Sequence, residues 1–140
     1  MILYLDTSSL AKLYLKEDGT EKVKSLSSSA RTVFSSLTTY VEARSALARA
    51  TAAHRLTGEE YRRALGAFET EWRTFSIRDV TLSLVRFAGD LAEKHLLRGF
   101  DAIHLASAVT LQSELGEPIT FSSADERLMS AAQAESLSIP

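Results

Sequence analysis

The chain has 140 residues, of which 45% are hydrophobic and 24% charged, a balance typical of one globular domain that spans residues 1–140. The absence of cysteine excludes disulfides and cysteine-ligated zinc. No apolar run approaches the ~20 residues that a membrane helix needs, so we expect a cytoplasmic protein with no membrane contact. Many nucleic-acid-binding proteins carry a net positive charge, whereas this chain has a net charge of −2. A local basic patch or a bound metal ion can attract nucleic acid without a positive net charge.

Strands and helices are predicted to alternate along the first third of the chain. The apolar run over residues 2–5 ends at Asp6 and is typical of a strand that is buried on both faces. The following Thr and Ser residues can cap a helix, which is predicted to continue until Asp18 and Gly19 stop it. The next predicted elements are a helix over about 20–27, a strand over 32–36 and a helix from about 38 to 54.

The rest of the chain continues the same alternation. Thr57 and Glu60 form a capping-box pattern, and Thr81 can cap a later helix. The predicted elements of this part are helices over about 58–74, 82–97, 100–115 and 125–134, and strands over 75–80, 119–123 and 137–139. Helices that alternate with strands predict a single three-layer α/β domain. Its central sheet is expected to be mainly parallel, with about four to five short strands flanked by helices.

Two carboxylates are expected at one edge of this sheet. Asp6 follows the first strand directly, and Asp125 lies just past the end of the strand over 119–123. Because ligand sites of parallel sheets form beyond the carboxyl ends of the strands, both acids belong to the edge where such sites occur. Each acid taken alone is also well explained as the N-cap of the helix that follows it.

Two further carboxylates lie near predicted helix N-termini. Glu42 falls in the first turns of its helix, at the border of an apolar stripe, and Asp101 begins the helix that contains the stretch FDAIHLASA. A helix N-terminus favours negative charge by roughly 0.3–1 kcal/mol, which is too little to offset the mutual repulsion of four carboxylates at one place. A divalent cation would offset it. Oxygen ligands without cysteine suit Mg²⁺ or Mn²⁺, and such ions serve phosphodiester hydrolysis.

Four stretches, in this order and spacing, resemble the PIN-domain ribonucleases, and within that family the toxins of the VapC type. The stretches are YLDTSSLAKLY, LTTYVEARSALAR, LRGFDAIHLASA and FSSADERL. The resemblance covers nearly the whole chain, and no motif position departs from the family pattern. It implies a PIN-like fold and a metal-dependent endoribonuclease that hydrolyses single-stranded RNA or tRNA as the toxin of a toxin–antitoxin pair.

The resemblance also implies a site and partners. The catalytic and metal-binding residues would be Asp6, Glu42, Asp101 and Asp125, with Mg²⁺ or Mn²⁺ as the cofactor. Ser8 and Ser123 match the hydroxyl positions of the family beside that site. The implied partners are the RNA substrate, a cognate antitoxin protein and a second copy of the chain in a homodimer. Arg44 and Arg49 lie on the helix of Glu42 and are predicted to contact RNA phosphates or the antitoxin, although a solvated surface explains them equally well.

Some other functions are also compatible with the sequence. A PIN-like scaffold that only binds a partner would need none of the acids, and a PIN nuclease could process RNA without being a toxin. A receiver-type phosphotransfer domain needs a late lysine, but none follows Lys94, and a haloacid-dehalogenase type needs a second Asp where Ser8 stands. His104 is a conceivable general base, but its position one turn into an apolar helix favours a packed, hydrogen-bonded core residue.

Overall fold

A computed structural model describes residues 1–140 and contains one sheet of four strands, with the spatial order β3-β2-β1-β4. Every neighbouring pair of strands is parallel, so the four carboxyl ends lie at the same edge. None of the helices combines the length and hydropathy that crossing a membrane requires. The strands are β1 (Ile2–Leu5), β2 (Thr32–Ser36), β3 (Ser76–Arg78) and β4 (Ile119–Ser122).

Seven helices connect and flank these strands, and the predicted three-layer α/β architecture is confirmed. Connections between parallel strands need crossovers, and here helices provide all of them. The helices are α1 (Thr7–Ala11), α2 (Thr20–Ser29), α3 (Thr39–Ala52), α4 (Gly58–Trp72), α5 (Leu82–His95), α6 (Gly99–Leu115) and α7 (Glu126–Ala134).

The inner strand β1 contacts the core on both faces of the sheet because its side chains alternate between those faces. Ile2 and Tyr4 pack on one face with α5, α6 and α7, whereas Leu3 and Leu5 pack on the other face with α1 to α4. All four side chains are almost completely buried. A strand covered on both faces must be apolar throughout, and the uninterrupted run ILYL meets that requirement.

The prediction for the first helix is wrong beyond Ala11. Residues 12–14 continue as turns in which the N–H groups of Leu13 and Tyr14 bond to carbonyls three residues earlier. This tighter winding brings Tyr14 against Phe68 in one core cluster, and Leu15 into another with Leu47. Packing against α3 and α4 therefore outweighs the local helical pattern.

The prediction of a final strand over 137–139 is also wrong. Only Ser138 pairs with the sheet, through a single parallel bridge to Thr120. Its N–H donates to the carbonyl of Ile119, and its carbonyl accepts from the N–H of Phe121. The following Ile139 extends no ladder, and Pro140 has no N–H to donate.

Candidate metal centre

A cavity of about 820 Å³ opens at the carboxyl edge of the sheet, between the ends of β1 and β4 and the first turns of α3 and α6. The crossover topology brings residues from four distant parts of the chain to this cavity. All four acids named from the sequence line it: Asp6, Glu42, Asp101 and Asp125. Their arrangement differs from one acid to the next, in burial and in hydrogen bonding.

Asp6 is the most firmly held of the four. Its side chain is 2% exposed and caps α1, because Oδ1 accepts from the N–H of Ser9 at 2.8 Å. The hydroxyl of Ser8 donates to the same carboxylate at 2.7 Å, and the hydroxyl of Ser123 donates to Oδ2 at 2.6 Å. The N-cap explanation is therefore correct for Asp6, and it does not compete with a place in the cavity.

The two serines predicted beside the site join Asp6 to Asp125. Ser8 accepts a hydrogen bond from the N–H of Ala124 at 2.9 Å, and Ser123 accepts one from the N–H of Asp125 at 3.0 Å. Asp125 in turn caps α7, since its Oδ1 accepts from the N–H groups of Arg127 and Leu128. Its Oδ2 has no partner, so one oxygen of this exposed carboxylate is available to the cavity.

Glu42 is half-buried and is held through one oxygen only. Thr7 donates to Glu42 Oε1 at 2.7 Å, and His104 Nε2 lies 3.4 Å from the same atom. Burial alone would raise the pKa of Glu42, but the hydrogen bonds from His104 and Thr7 outweigh burial and bring its pKa below the ordinary value. Glu42 is therefore a carboxylate that the protein keeps ionised.

Asp101 is in the opposite situation. It accepts no hydrogen bond from the protein, and burial raises its pKa, which the negative charges of Asp6 and Asp125 raise further. The positive charge of Arg98 acts in the other direction without cancelling the rise. The charge of Asp101 is thus an unfavourable one that a cation in the cavity would stabilise.

The donor chemistry of the cavity fits Mg²⁺ or Mn²⁺. The lining acids supply carboxylate oxygens, which are the ligands that such hard cations prefer. No three acidic or histidine side chains are grouped closely enough to form a complete protein cage for a metal. Mg²⁺ does not need such a cage, because it is usually bound by one or two carboxylates, several waters and substrate phosphates. An open cavity lined by carboxylates agrees with that mode of binding.

The basic residues of the cavity differ partly from those named from the sequence. Arg49 lines the cavity, whereas Arg44 does not, because its guanidinium bonds to Tyr40 at 2.8 Å and pairs with Glu69 at 3.3 Å. Sequence reasoning missed Arg98, which lines the cavity at the N-cap of α6. Its position three residues before Asp101 was the signal that could have identified it.

Arg55 and Phe100 also line the cavity and were not named from the sequence. Arg55 pairs with Glu17 at 3.3 Å, whereas Arg49 and Arg98 are exposed and belong to no ion pair of the structure. The side chain of Phe100 is 55% exposed beside Asp101. Two free cationic side chains and one aromatic ring thus border the carboxylates.

Comparison with known proteins gives matches over almost the whole chain. The sequence pattern of the PIN domain matches residues 3–134. Ribonuclease VapC45 and Ribonuclease VapC49, both of Mycobacterium tuberculosis, are each 35% identical to the chain over 134 residues, which is 95% of this chain and 90% of theirs.

Three solved structures share the fold. The toxin VapC20 of Mycobacterium tuberculosis, described as cleaving the sarcin–ricin loop, has a TM-score of 0.65 at 19% identity and covers 92% of this chain and 94% of its own. FitAcB of Neisseria gonorrhoeae has a TM-score of 0.70 at 20% identity, with 99% and 96% coverage. VapBC2 of Rickettsia felis, bound to a DNA fragment from its promoter, has a TM-score of 0.66 at 14% identity, with 100% and 98% coverage.

Proposed function

The chain belongs to the PIN-domain family, and we propose that it is a metal-dependent endoribonuclease of the VapC type. It would hydrolyse phosphodiester bonds of single-stranded RNA or tRNA as the toxin of a toxin–antitoxin pair. The observation that carries this proposal is the single cavity lined by four carboxylates at the carboxyl edge of the sheet. The 35% sequence identity to two ribonucleases, over 95% of the chain, supports the proposal independently.

The four acids would hold Mg²⁺ or Mn²⁺, one or two of them directly and the others through water molecules: Asp6, Glu42, Asp101 and Asp125. When bound, the cation supplies activation of a water molecule and stabilisation of negative charge on the phosphate. Asp6 contributes a carboxylate whose direction is fixed by Ser8, Ser9 and Ser123. Asp101 contributes charge that the protein leaves uncompensated, so cation binding relieves the repulsion from its acidic neighbours.

The free arginines of the cavity would hold the RNA backbone. An anionic substrate is repelled by carboxylates, and arginine side chains can attract its phosphates and set its position. Arg49 lies seven residues after Glu42, hence on the same face of α3 and about 10 Å farther along the helix. Arg98 lies at the start of α6 beside Asp101. Arg44 is not part of this proposal, because Tyr40 and Glu69 hold its guanidinium outside the cavity.

The partners proposed with this function are a cognate antitoxin and a second copy of the chain. Toxins of the VapC type work with an antitoxin, and the similarity to Ribonuclease VapC45 supports the same arrangement here. An antitoxin would neutralise the toxin by occupying or covering the carboxylate cavity. Formation of a homodimer belongs to the proposal on the same family ground.

Expression in bacteria tests the nuclease and the toxin role together. A short pulse of the wild-type protein is expected to arrest growth and to create new RNA ends at a small set of sites, which sequencing of RNA ends would identify. Asp101→Asn is expected to abolish both effects, because the cavity loses a metal-binding carboxylate. Asp90→Asn is the matched control, since Asp90 is an exposed acid on α5 that does not line the cavity.

The purified protein provides the test of the cofactor. Cleavage of the identified RNA is expected to require Mg²⁺ or Mn²⁺, to stop on addition of EDTA and to return when the metal is restored in excess. Cleavage by Asp101→Asn at the wild-type rate, or by wild-type protein in EDTA, would overturn the proposed metal centre. Normal growth during expression of protein that is active in the test tube would overturn the toxin role.

A further inference from the structure

His104 lies in the second turn of α6 and connects the core of the protein to the cavity. It is 2% exposed, yet it is one of the residues that line the cavity. Its Nδ1 lies 3.1 Å from the hydroxyl of Tyr4 on β1, and its Nε2 lies 3.4 Å from Oε1 of Glu42 on α3. The imidazole therefore stands between a buried strand and one of the proposed metal-binding carboxylates.

The chemistry of Glu42 sets the direction of these hydrogen bonds. Nε2 of His104 lies 3.3 Å from the hydroxyl of Thr7 and 3.4 Å from Oε1 of Glu42. The Thr7 hydroxyl gives its hydrogen to Glu42, and an ionised carboxylate can only accept, so both neighbours of Nε2 are acceptors and favour the tautomer with hydrogen on Nε2. A neutral imidazole then has a lone pair on Nδ1, and the hydroxyl of Tyr4 donates to it. The hydrogen bonds thus run in one direction, from Tyr4 through His104 to Glu42.

Tyr4, the first donor in this chain of hydrogen bonds, is held rigidly by packing. Its side chain is completely buried, and its ring stacks on that of Phe121 with a centroid separation of 5.6 Å and an interplanar angle of 12°. The strands that carry the two rings are hydrogen-bonded neighbours in the sheet. A displacement of Tyr4 would disturb close packing, so the position of its hydroxyl is well determined.

Glu42 is also held from its other side. Thr7 donates to Oε1 at 2.7 Å, and its hydroxyl lies 3.2 Å from that of Thr39. Ser35 donates to the carbonyl of Leu5 at the end of β1, and its hydroxyl oxygen lies 2.9 Å from that of Thr39. Both hydrogen bonds to the Glu42 side chain end at Oε1, and Oε2 has no protein partner. Because Glu42 lines the cavity, Oε2 is the oxygen that remains free to bind a ligand there.

We propose that Tyr4 and His104 are positioning residues, which fix the Glu42 carboxylate so that Oε2 is presented to the cation, and that His104 takes no part in proton transfer. This inference rests on the proposed function and deepens it, because it assigns a role to a buried pair outside the four acids. Groups that orient a metal ligand typically change metal affinity or activity by about 10- to 100-fold when they are removed.

The first test measures the Mn²⁺ dissociation constant by calorimetry for wild type and three variants. His104→Leu removes both hydrogen bonds and is expected to weaken Mn²⁺ binding about tenfold. Tyr4→Phe removes one hydroxyl and is expected to weaken it in the same direction. Tyr14→Phe is the matched control, because the hydroxyl of Tyr14 also bonds to a glutamate, Glu71, but outside the cavity. Its Mn²⁺ affinity is expected to equal that of wild type.

Activity at saturating Mn²⁺ separates positioning from proton transfer. Most of the activity lost in His104→Leu is expected to return when Mn²⁺ is raised above its weakened dissociation constant. His104→Gln, which keeps a donor and an acceptor, is expected to bind Mn²⁺ more tightly than His104→Leu. A loss of activity in His104→Leu that saturating Mn²⁺ does not correct would overturn the inference and indicate a general base.

Nitrogen NMR of the metal-free wild-type protein at mildly alkaline pH identifies the tautomer of His104 without any substitution. The inference requires the tautomer of His104 with hydrogen on Nε2, and hydrogen on Nδ1 would overturn it. Equal Mn²⁺ affinity in wild type and His104→Leu would also overturn it while leaving the proposed nuclease intact. Failure of the wild-type protein to bind Mn²⁺ at all would instead overturn the proposed function.

Discussion

The junction of β1 with α1 and the first turn of α6 each contribute an aspartate to the cavity, and they hold it in opposite ways. Asp6 is buried and accepts hydrogen bonds from Ser8, Ser9 and Ser123. Asp101 is half-exposed and accepts none, and its charge is disfavoured by burial and by its acidic neighbours. The protein thus satisfies the first carboxylate with its own hydrogen-bond donors and provides none for the second.

Replacing either aspartate with asparagine should change the free energy of unfolding more than any other substitution considered below, and in opposite directions for Asp6 and Asp101. Asp6→Asn should lower the free energy of unfolding by about 1–3 kcal/mol, because an amide nitrogen cannot accept the hydrogen bond from Ser123. Asp101→Asn should raise the free energy of unfolding of the metal-free protein, because it removes a repelled charge. Urea unfolding in EDTA measures both values, and a larger loss of stability in Asp101→Asn than in Asp6→Asn would contradict the assigned difference between the two carboxylates.

The hydroxyl of Ser123 tests how the first carboxylate is held, and its removal should have a smaller effect. Ser123→Ala loses the bond to Asp6 and the acceptor for the N–H of Asp125, so we expect a loss of about 1 kcal/mol in unfolding free energy. Ser28→Ala is the control, since that exposed hydroxyl bonds only within α2, and the change there should stay within about 0.5 kcal/mol. Equal effects of the two changes in urea unfolding would contradict a special role for Ser123.

The smallest expected effect is the pH dependence of the second carboxylate. Because the pKa of Asp101 in the folded protein lies above its ordinary value of 3.8, the cost of its charge is fully present above the folded pKa. That cost is relieved as the pH falls through the folded pKa towards 3.8. The stability advantage of Asp101→Asn over wild type should therefore shrink in this window. Thermal melts of both proteins in EDTA measure this, and a constant difference would contradict the assigned repulsion.

Much of the fold followed from local patterns. The run ILYL predicted the buried strand β1, and the capping box of Thr57 and Glu60 is present at the start of α4. The two errors, in the length of the first helix and in a final strand, occurred where local pattern and tertiary packing disagree. Residues 12–14 wind as turns, and there the ring of Tyr14 packs against that of Phe68, 54 positions later.

The order of helices and strands in the sequence was enough to predict the fold class and to place Asp6 and Asp125 at one edge of the sheet. It could do so because the order of elements fixes which ends of parallel strands meet. The three-dimensional structure was needed to show how each acid is held and that Arg98 lines the cavity while Arg44 does not. Burial and hydrogen bonding depend on groups that are distant in sequence, such as Tyr4 and His104, 100 positions apart. No local pattern records such contacts.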